Sequence, residues 1–65
     1  MENRLKELRA ERGMTQAELA LRIGVSRKTI NTIENGVFVP STILALLLAG
    51  AFDVPVERIF CLARE

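Results

Sequence analysis

Apolar residues recur three and four positions apart in short separated blocks between residues 5 and 34, the period of helices that bury one face. The block from Asn3 to Arg12 predicts a first helix with Leu5 and Leu8 inward, charged residues elsewhere and Gly13 as its stop. Met14 follows, placed to pack beneath the next helix. That second helix opens with Thr15 and Glu18, a T-x-x-E box in which hydroxyl and carboxylate each satisfy a free backbone N–H. Its inward stripe is Leu19, Ala20 and Ile23. Gly24 is expected to leave the helix at positive φ, where a side chain is penalised, and Val25 to plug the corner. Ser26 is a good N-cap for a third helix that buries Ile30 and Ile33 and turns Arg27, Lys28, Asn31, Thr32 and Asn35 outward, before Asn35-Gly36 ends it.

The pattern then changes. Val37-Phe38-Val39-Pro40 reads as a loop, and Ser41 begins a fourth helix running to about Phe52. At 100° per residue, Leu44, Ala45, Leu48, Ala49 and Phe52 share one face, which supplies the core. The opposite face holds Ile43, Leu46, Leu47, Gly50 and Ala51 and is apolar too, for no charged side chain occurs between Glu34 and Asp53. Such a helix must be covered on both sides. A subunit interface is the simplest cover, formed by Phe38, Ile43, Leu47, Val56 and Leu62, with Val37 beside them. The alternative is closer packing of the fifth helix and C-terminal tail within one chain. That fifth helix is predicted from Pro55, whose fixed φ suits a first helical position, to about Phe60. The expectation is an all-α, compact five-helix domain spanning 1–65, with residues 16–35 as the motif and 37–65 for packing and dimerisation.

Two short helices meeting at roughly 90–120° across a 3–4-residue turn leave little room at the crossing, which is where Ala20 and Gly24 fall. An αα-hairpin in a small bundle with a solvated polar face would share the pattern. The joint register of cap, small residue, glycine and second cap favours a helix-turn-helix, a geometry that puts a helix into DNA.

At 65 residues the chain is one domain, near the lower limit for an unassisted core, and a partner subunit would help. With 49% apolar and only 5% aromatic residues, a helical core of Leu, Ile, Val and Ala is expected. The N-terminus, charged at Glu2, Arg4 and Lys6, and the short apolar run after Pro40 fit neither secretion nor membrane insertion. A single cysteine, Cys61, permits no internal disulfide and suits the reducing cytoplasm; it reads as a small packing residue, with a disulfide between subunits as the other use. The net charge of +1 is low for a nucleic-acid binder. Residues 1–36, however, carry seven Lys or Arg against five Asp or Glu, and 37–65 carry two against three, so binding is expected to rest on a small basic face of Arg22, Arg27 and Lys28.

The chain resembles, nearly end to end, the helix-turn-helix domain of Cro/C1-type (xenobiotic-response-element-like) transcriptional regulators. The resemblance lies in LKELRAERGMTQAELALRIGVSRKTINTIENG, the Pro-Ser helix start and FDVPVERIF. It implies a lambda-repressor-like fold with the motif at helices two and three. It also implies that Gln16 braces the start of the recognition helix, and that Arg9 and Glu34 pair in a buried salt bridge between helices one and three. Family members commonly carry polar or charged residues where Ile43, Leu47 and Gly50 stand, so the apolar fourth helix departs from the pattern.

Within the motif, Arg27 and Lys28 sit at the end of the recognition helix that points at base edges, and either can donate to guanine O6 and N7. Thr32, one turn beyond Lys28, ranks first among the short polar groups, with Asn31 as a further base contact. Phosphate contacts are expected from Gln16, beside the free N–H groups at the start of helix two, and from Ser26, Thr29 and Asn35. The chain has no histidine, no Gly-rich phosphate loop and no metal-ligand cluster, which argues against an enzyme, and no cofactor or small-molecule effector is expected. The expectation is a sequence-specific regulator, a homodimeric repressor reading inverted-repeat double-stranded DNA. An antitoxin-like or adaptor module using the apolar fourth helix is the rival.

Overall fold

The structure, a computed structural model, describes residues 2–37 and 39–61. In chain order it comprises β1 (Glu2–Asn3), α1 (Leu5–Glu11), α2 (Gln16–Ile23), α3 (Arg27–Glu34), α4 (Thr42–Phe52), a 3-10 turn (Val56–Arg58) and β2 (Phe60–Cys61). The four α-helices fall where the apolar period places them. Their caps do as well. Thr15 and Glu18 form the reciprocal capping box of α2, Ser26 Oγ accepts from Thr29 N to open α3, and Ser41 Oγ accepts from Leu44 N to open α4.

Each helix contributes an inward edge to one core. Leu5 and Leu8 come from α1, Leu19 and Ala20 from α2, Ile30 and Ile33 from α3, and Leu48, Ala49 and Phe52 from α4. Ile59 and Phe60 close it from the C-terminal side. The most extensive packing between elements is α2 on α3, the two helices of the motif.

The ends of the chain depart from the sequence expectation. Residues 55–60 do not form a fifth α-helix. One 3-10 turn over Val56–Arg58 gives way to β2, which pairs antiparallel with β1 in the register Glu2 with Cys61 and Asn3 with Phe60. Arg4 N adds a bond to Ile59 O at 2.7 Å. A helix this short does not repay its nucleation, whereas the extended backbone finds partners on the other terminus. The first helix accordingly starts at Leu5, not Asn3. Asn3 Oδ1 instead accepts from Leu5 N at 3.2 Å, and its Nδ2 donates to Ile33 O at 2.9 Å, tying β1 to the C-terminal end of α3.

Gly24 is needed for a reason other than crowding. It closes α2 at φ 79°, and a Cβ there would have no neighbour within 4 Å, so backbone conformation and not helix proximity demands the glycine. Ala20, in contrast, is buried at the core. Cys61 is exposed on β2, which corrects its assignment as a packing residue.

Candidate nucleic-acid interface

The N-terminal half of α3 is fixed from beneath and open above. Ile30 and Ile33 are fully buried, while Arg27, Lys28 and Asn31 are exposed on the other side of the same helix. Arg27, Lys28 and Asn31 join Gln16 of α2 around an open depression of about 420 Å³. Two cations and two amides thus line one concavity at the N-terminal end of α3, where free backbone N–H groups already favour acceptors and anions.

The orientation of α3 relative to the rest of the domain is set by a polar cluster on its C-terminal half. Arg9 Nε donates to Glu34 Oε2 at 2.7 Å and Arg9 Nη2 to Glu34 Oε1 at 3.3 Å, with side chains only 14% and 3% exposed. Arg9 Nη1 also donates to Met14 O at 2.7 Å, which ties the α1–α2 connection to the same guanidinium. Gln16 Nε2 donates to Glu34 Oε1 at 3.0 Å and to Asn31 Oδ1 at 3.2 Å. Glu34 therefore links α1 and α2 to α3 through one carboxylate, and both hydrogens of the Gln16 amide are engaged within the protein. A phosphate at the start of α2 would have to meet main-chain N–H groups instead of this side chain.

The remaining residues expected at the interface are distributed unevenly. Thr32 does not line the depression: it is half-buried, and its hydroxyl donates to Thr29 O at 2.9 Å. Ser26 and Thr29 share a hydrogen bond between their hydroxyls at 2.9 Å while Ser26 caps the helix. Asn35 is exposed and closes α3, and Gly36 and Val37 return N–H groups to Ile33 O and Thr32 O. Arg22 lies elsewhere, lining a groove with Ile23, Leu46, Leu47, Gly50 and Ala51, so the basic face consists of Arg27 and Lys28 without it.

On α4 the second apolar face is open in the single chain, with Ile43 73%, Leu46 58% and Leu47 46% exposed. Val56 is half-buried and, with Val39, Pro40, Ala45, Leu46 and Phe60, lines an apolar hollow of about 230 Å³. Phe38 and Leu62, also expected at an interface, lie outside the described residues.

Two supports of the site were not read from the sequence. Asn3 anchors the end of α3, and Arg12 donates to Phe52 O at 3.0 Å with its guanidinium carbon 5.2 Å from the Phe52 ring centroid, closing α4 onto α1. A polar residue just before a helix and an arginine at its end give no local sign of partners thirty or forty positions away.

Comparisons with known proteins agree with this geometry. The helix-turn-helix family model matches residues 5–59. The uncharacterized HTH-type transcriptional regulator YgzD of Bacillus subtilis is 45% identical over 65 residues, covering 100% of this chain and 98% of that protein. An uncharacterized HTH-type transcriptional regulator of Archaeoglobus fulgidus is 46% identical over 65 residues, covering 100% of this chain and 92% of its own length. Among solved structures, the restriction-modification controller protein C.AhdI of Aeromonas hydrophila superposes with a TM-score of 0.81 at 35% identity, over 88% of this chain and 86% of that one. With its capped α2 and α3, its cationic α3 N-terminus and these matches along nearly its whole length, the chain belongs to the helix-turn-helix family of Cro/C1-type, DNA-binding transcriptional regulators.

Proposed function

We propose that this protein is a homodimeric repressor that places α3 in the major groove of an inverted-repeat operator. The observation that carries the reading is the depression formed by Gln16, Arg27, Lys28 and Asn31 on a helix held at its other end by the Arg9–Glu34 pair. Cationic donors are presented on a rigid mount, as base reading requires. Arg27, Lys28 and Asn31 read base edges, with Thr32 a lesser contributor because its hydroxyl is engaged with Thr29 O. Phosphates are met by main-chain N–H groups at Gln16, by Ser26 and Thr29 at the start of α3 and by Asn35 at its end. Repression follows from occupancy, since a dimer seated across a promoter occludes it.

Dimerisation is supported by the open apolar face of Ile43, Leu46 and Leu47, a surface costly to leave in water. Two-fold symmetry would then set half-site centres about 10 base pairs apart. The same face supports a second reading, an adaptor or antitoxin-like module whose α4 binds a different protein. Selection of bound sequences from a random duplex library, paired with a solution mass measurement, separates the two. A dimer that enriches a palindromic sequence supports the repressor. A folded chain that enriches no sequence transfers the argument to the module.

A further inference from the structure

Gly50 answers no need of the single chain. A glycine within a helix is less favourable than alanine, and it is kept where the backbone needs positive φ or where something must come close. Gly50 lies inside α4 without positive φ, and a Cβ added to it would meet nothing within 4 Å among the described residues. It is exposed, and with Arg22, Ile23, Leu46, Leu47 and Ala51 it lines an open groove of about 310 Å³ between α2 and α4. The room left by the missing side chain therefore faces outward, where a neighbouring molecule can approach the α4 backbone.

We propose that the groove is filled by a second copy of this chain, which seats its Ile43 over Gly50 and receives Ile43 over its own Gly50 in return. The inference rests on the homodimer proposed above and assigns its register. The exposed apolar positions of α4 are Ile43, Leu46, Leu47 and Gly50, spaced evenly about a midpoint between Leu46 and Leu47. A two-fold axis through that midpoint lays two α4 helices antiparallel, with Leu46 against Leu47 and the most exposed side chain, Ile43, against the residue that has none. Large meets small twice by symmetry, so the helices can close without a void or a clash. No residue of α4 is charged, so two copies meet without opposing like charges. An unrelated partner would give no reason for Ile43 and Gly50 to stand at equal distances from the middle of the strip. Because α2 packs on both α4 and α3, the register also sets the separation of the two α3 helices. A slip of one helical turn, about 5.4 Å, exceeds the roughly 3.4 Å between base pairs and would change the half-site spacing.

The test is a size exchange read by sedimentation equilibrium, with helicity checked by circular dichroism. Gly50→Leu fills the socket, and because each dimer contains the pair twice, overpacking of about tenfold per socket should weaken association by roughly a hundredfold. The variant chain should stay folded, since the new side chain enters open space and leucine is the better helix former. Ile43→Ala should weaken association less. The double variant Ile43→Ala with Gly50→Leu exchanges large for small across the axis and should return association to within about tenfold of wild type. Undiminished association of Gly50→Leu, or a double variant weaker than Gly50→Leu alone, would overturn the register while leaving the homodimer intact. Should Gly50→Leu not fold, Gly50→Ala carries the test: a several-fold loss supports the socket and an unchanged dimer overturns it. A wild-type mass of one chain at high micromolar concentration would defeat the homodimer itself, and the proposal with it.

Discussion

Arg9 grips Glu34 with two nitrogens, Nε at 2.7 Å and Nη2 at 3.3 Å, across a sequence gap of 25 positions and with the carboxylate side chain 3% exposed. Removing one partner strands the other in a site shielded from water, which costs about 3–5 kcal/mol for a buried pair. In so small a domain Glu34→Ala should lower the melting temperature by more than about 10 °C, since each kcal/mol shifts it by several degrees. Thermal denaturation followed by circular dichroism checks this. Glu34→Gln, which keeps an acceptor but not the charge, should lose less.

Two helix ends make opposite predictions from the same backbone region. Gly24 lies at φ 79° with open space around it, so Gly24→Ala should destabilise by about 1 kcal/mol through conformation alone. Asp53 ends α4 at φ 57° although it carries a side chain, so Asp53→Gly should stabilise by about 0.5 kcal/mol. Chemical denaturation of both variants decides it; a neutral Gly24→Ala would mean that the turn relaxes to negative φ.

Leu47→Lys places a charge on the open face of α4, where Ile43 and Leu46 are also exposed. The wild-type chain should run as a dimer in sedimentation at high micromolar concentration and the variant as a folded monomer with weakened operator binding. A wild-type mass of one chain would remove α4 as a self-association surface.

Arg27→Ala and Lys28→Ala should each cost about 1–3 kcal/mol of binding per half-site and relax preference at one base position. Neither should alter the melting temperature greatly, because both side chains are exposed. Titration of labelled operator at several salt concentrations provides the measurement. With few cations at the interface, affinity should fall with salt less steeply than for a strongly basic binder.

The sequence by itself determined the four α-helices and their caps. Those features are local: the spacing of Leu19, Ala20 and Ile23, the reach of Thr15 to Glu18 and the hydroxyl of Ser26 all act within one or two turns. It also placed Arg27 and Lys28 at the exposed N-terminal end of α3, since the buried Ile30 and Ile33 on that helix leave them only the solvent side. The tertiary structure decided what depends on distant partners. Residues 60–61 are a strand because Glu2 and Asn3 are there to pair with them, and a two-residue strand is too short to show a period of two. Asn31 in the cleft and Arg22 on the α4 side follow from how α2 packs on its neighbours, an angle no local pattern encodes. The direction of the Gln16 amide is the furthest such consequence, because its nitrogen meets Glu34 and Asn31 only once α2 lies against α3 and Arg9 holds the Glu34 carboxylate.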